Sequence, residues 1–220
     1  MKPAVVAVFA LALCPPLAAW SAPPQDDSIR SEIRRDLDAA RLEIRTDLAR
    51  ARAELETGNL DVGNSVGFDR DTRGQAGVDK DLPKAEITPQ GDFLIEGEAI
   101  AIDASQRRQL LDYRSKVIAI AREGIDIGEV TALAAMDAVD RGVVSLMVSA
   151  MTGSLERRIE RSVQATVGPG VLRICDRMPA LREAQQQLAA DLPAFRPYAR
   201  LTPQDAERCR QDVRQEFATR

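Results

Sequence analysis

Side chains able to do chemistry are sparse in this chain, and their types restrict what it can catalyse. None of its 220 residues is histidine. That removes Ser-His and Cys-His nucleophile systems, the usual catalytic zinc sites and most acid–base designs that work near neutral pH. After the first two dozen residues, lysine occurs only at Lys80, Lys84 and Lys116. A Ser/Lys mechanism would need Lys116 desolvated beside a serine, but its neighbour Ser115 projects elsewhere on a helix, so a solvated lysine is expected. The stretch "DRDTRGQAGVDK" (residues 69–80) opens like a calcium loop, with Asp69, Asp71 and Gly74 in place. Arg73 then occupies a ligand position and Lys80 stands where the bidentate Glu belongs, so a solvated acidic segment is expected instead.

Asp137 and Asp140 could serve as paired carboxylates. On an ideal helix Asp140 falls among Leu133, Met136, Val144, Met147 and Met151, where an unpaired charge is costly. We therefore read "DRG" (residues 140–142) as a helix break capped by Asp140, and the methionines as adaptable core. No catalytic, cofactor-binding or metal-ligating residue is assigned on these grounds. No cofactor is expected.

The cysteines depend on the compartment. The opening "MKPAVVAVFALALCPPLAAWSAPP" carries one early positive charge, an apolar run and then a Pro-broken segment ending in small residues. It reads as a secretory signal, residues 1–21, cleaved after Ser21 with Ala19 and Ser21 at the recognition positions. Leu13 argues against lipidation of Cys14, since the residue before a lipidated Cys should be small. Pro15–Pro16 splits the run too early for a membrane anchor, which needs about 20 apolar residues. The destination is the periplasm or the exterior, where the two remaining cysteines, Cys175 and Cys209, are expected to form a disulfide. Closing that loop contributes roughly 3–4 kcal/mol on a chain-entropy estimate.

The elements that must position these residues are mostly helical. Hydrophobic residues make up 45% and aromatics 4%, a composition suited to a core of Ala, Leu, Ile and Val. The net charge of −4 lacks the basic footprint of a nucleic-acid binder. In "IRSEIRRDLDAARLEIRTDLARARAELE" the apolar positions Ile29, Ile33, Leu37, Ala40, Ile44, Leu48, Ala51 and Leu55 recur in steps of four and three. They form an eleven-residue repeat with Arg30, Arg41 and Arg52 in its second position and Glu32, Glu43 and Glu54 in its fourth. Eleven residues over three turns lays the stripe nearly straight along a helix over 26–57. Pairs such as Arg50–Glu54 and Arg52–Glu56 are expected to support the outer face.

Residues 58–84 lose all periodicity and read as a flexible linker. In "AEITPQGDFLIEGEAIAI" two turn signals, at Pro89–Gly91 and Glu96–Gly97, divide a small antiparallel element of two or three strands. Asp103 then caps a helix with Gln106 as capping-box partner and Gly124 as terminator. "GEVTALAAMDAVDRGVVSLMVSAM" continues as one long helix or a broken pair. It is not a membrane span, since Glu129, Asp137, Asp140 and Arg141 interrupt it. A further helix stops at Gly168–Pro169–Gly170, another follows with a bend near Pro179, and Thr202 caps a last one with Pro203 and Asp205 in its first turn.

Residues 85–128, carrying "AEITPQGDFLIEGEAIAI" and "DASQRRQLLDYRSKVIAIAREG", resemble the YggN-like domain-of-unknown-function family of exported bacterial proteins. The resemblance rests on a short strand, a Gly turn and a Gln-containing capped helix with Leu110-Leu111-x-Tyr113. It implies an exported, periplasmic protein with no assigned reaction and hence no catalytic residues to transfer. Residues 26–84 do not share the pattern.

The expected class is mainly α (α+β): a signal peptide, a long amphipathic helix, a linker, and a helical domain over 85–220 with a small antiparallel hairpin. The opening helix can fold back on the domain, self-associate as a short coiled coil or lie on a membrane. The last fits worst, because its stripe lacks aromatics and its flanks mix acids with arginines. The expected function is non-enzymatic protein–protein contact or self-association through the face Ile33, Leu37, Ile44, Leu48 and Leu55. The alternative is carriage of a lipid or other apolar small molecule between helices of the C-terminal domain.

Overall fold

The computed structural model describes residues 26–63, 82–142 and 154–218. The predicted signal segment, residues 69–80, Val144, Met147 and Met151 lie outside them, as does the side chain of Asp140. The described chain runs α1 (Asp26–Thr57), β1 (Leu60–Asp61), β2 (Ala85–Ile87), β3 (Phe93–Ile95), β4 (Glu98–Ala99), α2 (Ala104–Gly142), α3 (Ser154–Asp191), a 3₁₀ segment (Pro193–Tyr198) and α4 (Pro203–Ala218). It is mainly helical, with one small antiparallel sheet. Helices adjacent in sequence pack on one another, α1 on α2, α2 on α3 and α3 on α4.

Local signals account for several ends. The Asp103 side chain accepts from the amides of Ser105 and Gln106 at 2.7 and 2.8 Å. Gln106 Oε1 in turn accepts from the Asp103 amide at 2.9 Å. This reciprocal capping box starts α2. At α4, Asp205 accepts from the Thr202 amide at 2.7 Å, with Pro203 in the first helical position, where no amide is needed.

The sheet is a four-stranded meander in the order β1-β2-β3-β4. Both predicted turns are present, with Gly91 at φ +83° and Glu96–Gly97 at φ +50° and +82°. Two successive positive φ values give the turn whose twist matches a tight hairpin. The fourth strand is a correction. Leu60 and Asp61, read as linker, pair with Ile87 and Glu86, and Val62 is buried. A two-residue strand has no periodicity to detect; it is recruited by the exposed edge of β2.

The other corrections concern where helices stop. α2 runs through Gly124, Gly128 and Asp140 to Gly142. Likewise α3 runs through Gly168, Pro169 and Gly170 and also contains Pro179. A helical Gly costs about 1 kcal/mol and an interior Pro about 3, and packing of the two long helices on each other outweighs both. Gly168–Pro169–Gly170 marks a close approach instead of an end: a Cβ at Gly170 would lie 2.5 Å from Cγ1 of Ile127 on α2.

The core sits where the sheet, the start of α2, the end of α3 and the 3₁₀ segment meet. Ile87, Phe93, Leu110, Tyr113, Leu181, Leu188 and Phe195 are essentially sealed from solvent. Four of the few aromatics gather here: Phe195 lies 5.4 Å from Tyr113, 5.7 Å from Phe93 and 6.3 Å from Tyr198. Such tilted and edge contacts are worth about 0.5–1.5 kcal/mol each beyond burial. Gln185, also buried, accepts from the Leu201 amide at 2.8 Å and donates to the Tyr198 carbonyl at 3.3 Å, tying the 3₁₀ segment to α3. Cys175 and Cys209 are bridged, their Cα atoms 5.6 Å apart, and Arg210 reaches Asp176 at 3.0 Å beside them. Together these contacts fasten α4 along α3.

Candidate interaction face

The stripe residues Ile33, Leu37, Ile44, Leu48 and Leu55, with Ala40 and Ala51 between them, are each half-buried, while most of their neighbours on α1 are exposed. The eleven-residue spacing thus gives one straight edge, and from Arg41 to Glu56 α1 lies along α2. Of the three arrangements open to the helix, folding back on its own domain is the one seen. Among the described residues, no α1 side chain belongs to the buried core cluster or is packed against it.

What aligns α1 on α2 is a charge clasp. Arg41 donates to Asp137 at 2.9 Å. Arg52, eleven residues later, donates to Asp126 at 2.6 Å and Glu129 at 2.7 Å, and Glu56 pairs with Arg122. Asp126 and Asp137 are themselves eleven residues apart, so one repeat along α1 answers one equal step back along antiparallel α2, a rise of about 16 Å. The Arg41 side chain is 17% exposed and that of Arg52 32%, against 55% for Asp137 and 59% for Asp126. The arginine stems therefore lie in the seam, with Glu129, 24% exposed, beside Arg52, while Asp126 and Asp137 close it from the rim. Both guanidinium pKa values are raised, for Arg41 first by its hydrogen bond to Asp38 and then by Asp137, for Arg52 first by Glu129 and then by Asp126.

The expected pairs Arg50–Glu54 and Arg52–Glu56 are replaced. Arg50 pairs with Asp47 at 3.0 Å, and Arg52 turns to α2. Arg122, Asp126, Glu129 and Asp137 fall on one face of α2 at helical spacing, and that face is a seam whose charges meet those of α1.

At the C-terminal end of α1 sits a residue that sequence reasoning missed. Arg114 is 7% exposed, and its Nη2 donates to the carbonyls of Leu55, Glu56 and Gly58 at 3.0, 2.9 and 2.8 Å. The last carbonyls of a helix have no intrahelical donor and carry the negative end of its dipole, so a cation is favoured there. Nothing local announces this partner, 56 residues away in sequence. The clasp did leave a signal, the shared eleven-residue spacing of Arg41–Arg52 and Asp126–Asp137.

Other candidates are dispersed. Lys116 pairs with Asp112, and Ser115 donates to the Asp112 carbonyl at 2.8 Å, so the two are not joined as nucleophile and base. Among the described residues no helix is long and apolar enough to cross a membrane. Met136, read as adaptable core, is half-buried on α2. Among the described residues, a depression of about 130 Å³ lies between α3 and the start of α4, lined by Met178, Pro179, Leu201 and Ala206 among others. Sites for drug-sized ligands usually hold about 300 Å³ or more. The chain matches no family model, no curated protein and no solved structure.

Proposed function

We propose that this is an exported envelope protein that works by protein–protein contact and catalyses no reaction, with Ile33, Leu37, Ile44, Leu48 and Leu55 as its adhesive face. The observation that carries this is the half-buried stripe of α1, set in register by arginines and held outside the core. A helix kept for stability alone would be expected to send side chains into the core cluster, and none of α1's described side chains does. The Cys175–Cys209 bridge supports an oxidising destination in the periplasm or outside the cell. The resemblance of residues 85–128 to an exported family points the same way.

The test is a pull-down from native envelope with the full chain and with Ile44→Asp/Leu48→Asp. The expected result is a cross-linked partner or a larger apparent mass that the double variant loses while its disulfide-linked core stays folded. Unchanged size and capture would reduce α1 to an internal layer.

A further inference from the structure

The clasp identifies one partner by its chemistry. A helix that is to accept α1 must offer an apolar seam with acids eleven residues apart, and α2 of this chain offers that with Asp126 and Asp137, with Glu129 between them. The second copy of α2 that a second molecule brings is an equal match. Release of α1 leaves the described core cluster with all its members, since none of them comes from α1. The joint that would turn lies within the described chain: α1 ends at Thr57 and β1 begins at Leu60, leaving Gly58–Asn59 between them. Gly58 presses on α1 so closely that a Cβ would sit 2.8 Å from the Glu54 carbonyl oxygen. Arg114 clamps the same joint through the carbonyls on either side of Thr57.

We propose that two copies of this chain exchange α1, turning at Gly58–Asn59. Arg41 and Arg52 of one copy then engage Asp137, Asp126 and Glu129 of the other. Exchange is reciprocal, so it closes as a two-fold dimer and leaves no unmatched seam. It rests on the stripe being an adhesive face and names a second copy as what that face grips.

Charge reversal separates exchange from docking within one chain. One full-length variant carries Arg41→Glu/Arg52→Glu, so both of its seam faces are acidic. A second carries Asp126→Arg/Glu129→Arg/Asp137→Arg, so both of its faces are basic. Neither can close its own clasp, whereas an exchanged heterodimer satisfies both seams. Light scattering of the equimolar mixture is expected to give twice the mass of either variant alone, with amide protection of α1 restored only on mixing. A single chain carrying all five changes should restore that protection without mixing, which shows that the substitutions permit folding.

A mixture that scatters as the sum of its parts, beside a five-fold variant with protected α1, overturns the exchange. That result leaves the adhesive face standing if Ile44→Asp/Leu48→Asp still abolishes capture of a different protein from the envelope. If capture is also indifferent to those two changes, the adhesive reading falls with it.

Discussion

The guanidinium of Arg114, on α2, donates to the carbonyl of Gly58 at the end of α1 across 2.8 Å. With its bonds to Leu55 and Glu56, one buried cation supplies donors that α1 cannot supply to itself. It also connects three parts of the protein: the clasped helix, the joint to β1, and the segment of α2 that carries Tyr113 into the core.

Arg114→Met should therefore uncouple α1 before it harms the core. Loss of three bonds from a charged donor, with orphaned carbonyls left behind, predicts a destabilisation of about 2–4 kcal/mol. Urea unfolding measures it, and amide exchange should quicken first in the last turns of α1. A loss below about 1 kcal/mol with α1 still protected would show that those carbonyls find other donors.

Gly170→Ala tests the crossing of α2 and α3. Its new methyl would meet Cγ1 of Ile127 at 2.5 Å and Cδ1 at 2.7 Å. Cδ1 can rotate away, but Cγ1 can do so only by leaving the χ1 rotamer that a helical Ile strongly prefers, so a cost of about 1–3 kcal/mol is expected. In an Ile127→Ala background the same change should cost little. Additive costs in that double-mutant cycle would place the strain elsewhere.

Tyr198 is expected to contribute to a loss of stability at alkaline pH. Its hydroxyl donates to the Pro83 carbonyl at 2.8 Å. Burial, and secondarily the charge of Glu96, raise its pKa above the ordinary 10.0. The folded protein thus holds this proton where the unfolded chain releases it. The contribution is complete below pH 10 and is lost as pH rises toward the folded value. Stability followed from pH 9 to 11 should fall less steeply in Tyr198→Phe than in the parent; equal slopes would assign the decline to other groups.

The Cys175–Cys209 bridge closes a separation of 34 residues. Replacing both cysteines by alanine should cost about 3–4 kcal/mol and loosen α4 more than α2, as read by thermal unfolding and by proteolysis near residue 202. A double variant as stable as the parent would mean that packing alone holds α4.

Much of this protein is written in short stretches of its sequence. The eleven-residue period located the buried edge of α1, Asp103 with Gln106 started α2, Thr202-Pro203 with Asp205 started α4, and Pro89–Gly91 and Glu96–Gly97 placed two turns. Each depends on a few neighbouring residues whose hydrogen bonds and φ values are settled locally. Where the long helices end, and where the arginines of α1 point, depends on tertiary structure. Gly124 and Gly168–Pro169–Gly170 carry local penalties of about 1–3 kcal/mol, which a long seam between α2 and α3 exceeds. Leu60–Asp61 becomes a strand only because β2 offers an edge. Arg114 and the clasp partners of Arg41 and Arg52 lie dozens of residues away, so their roles exist only once the helices have been laid side by side.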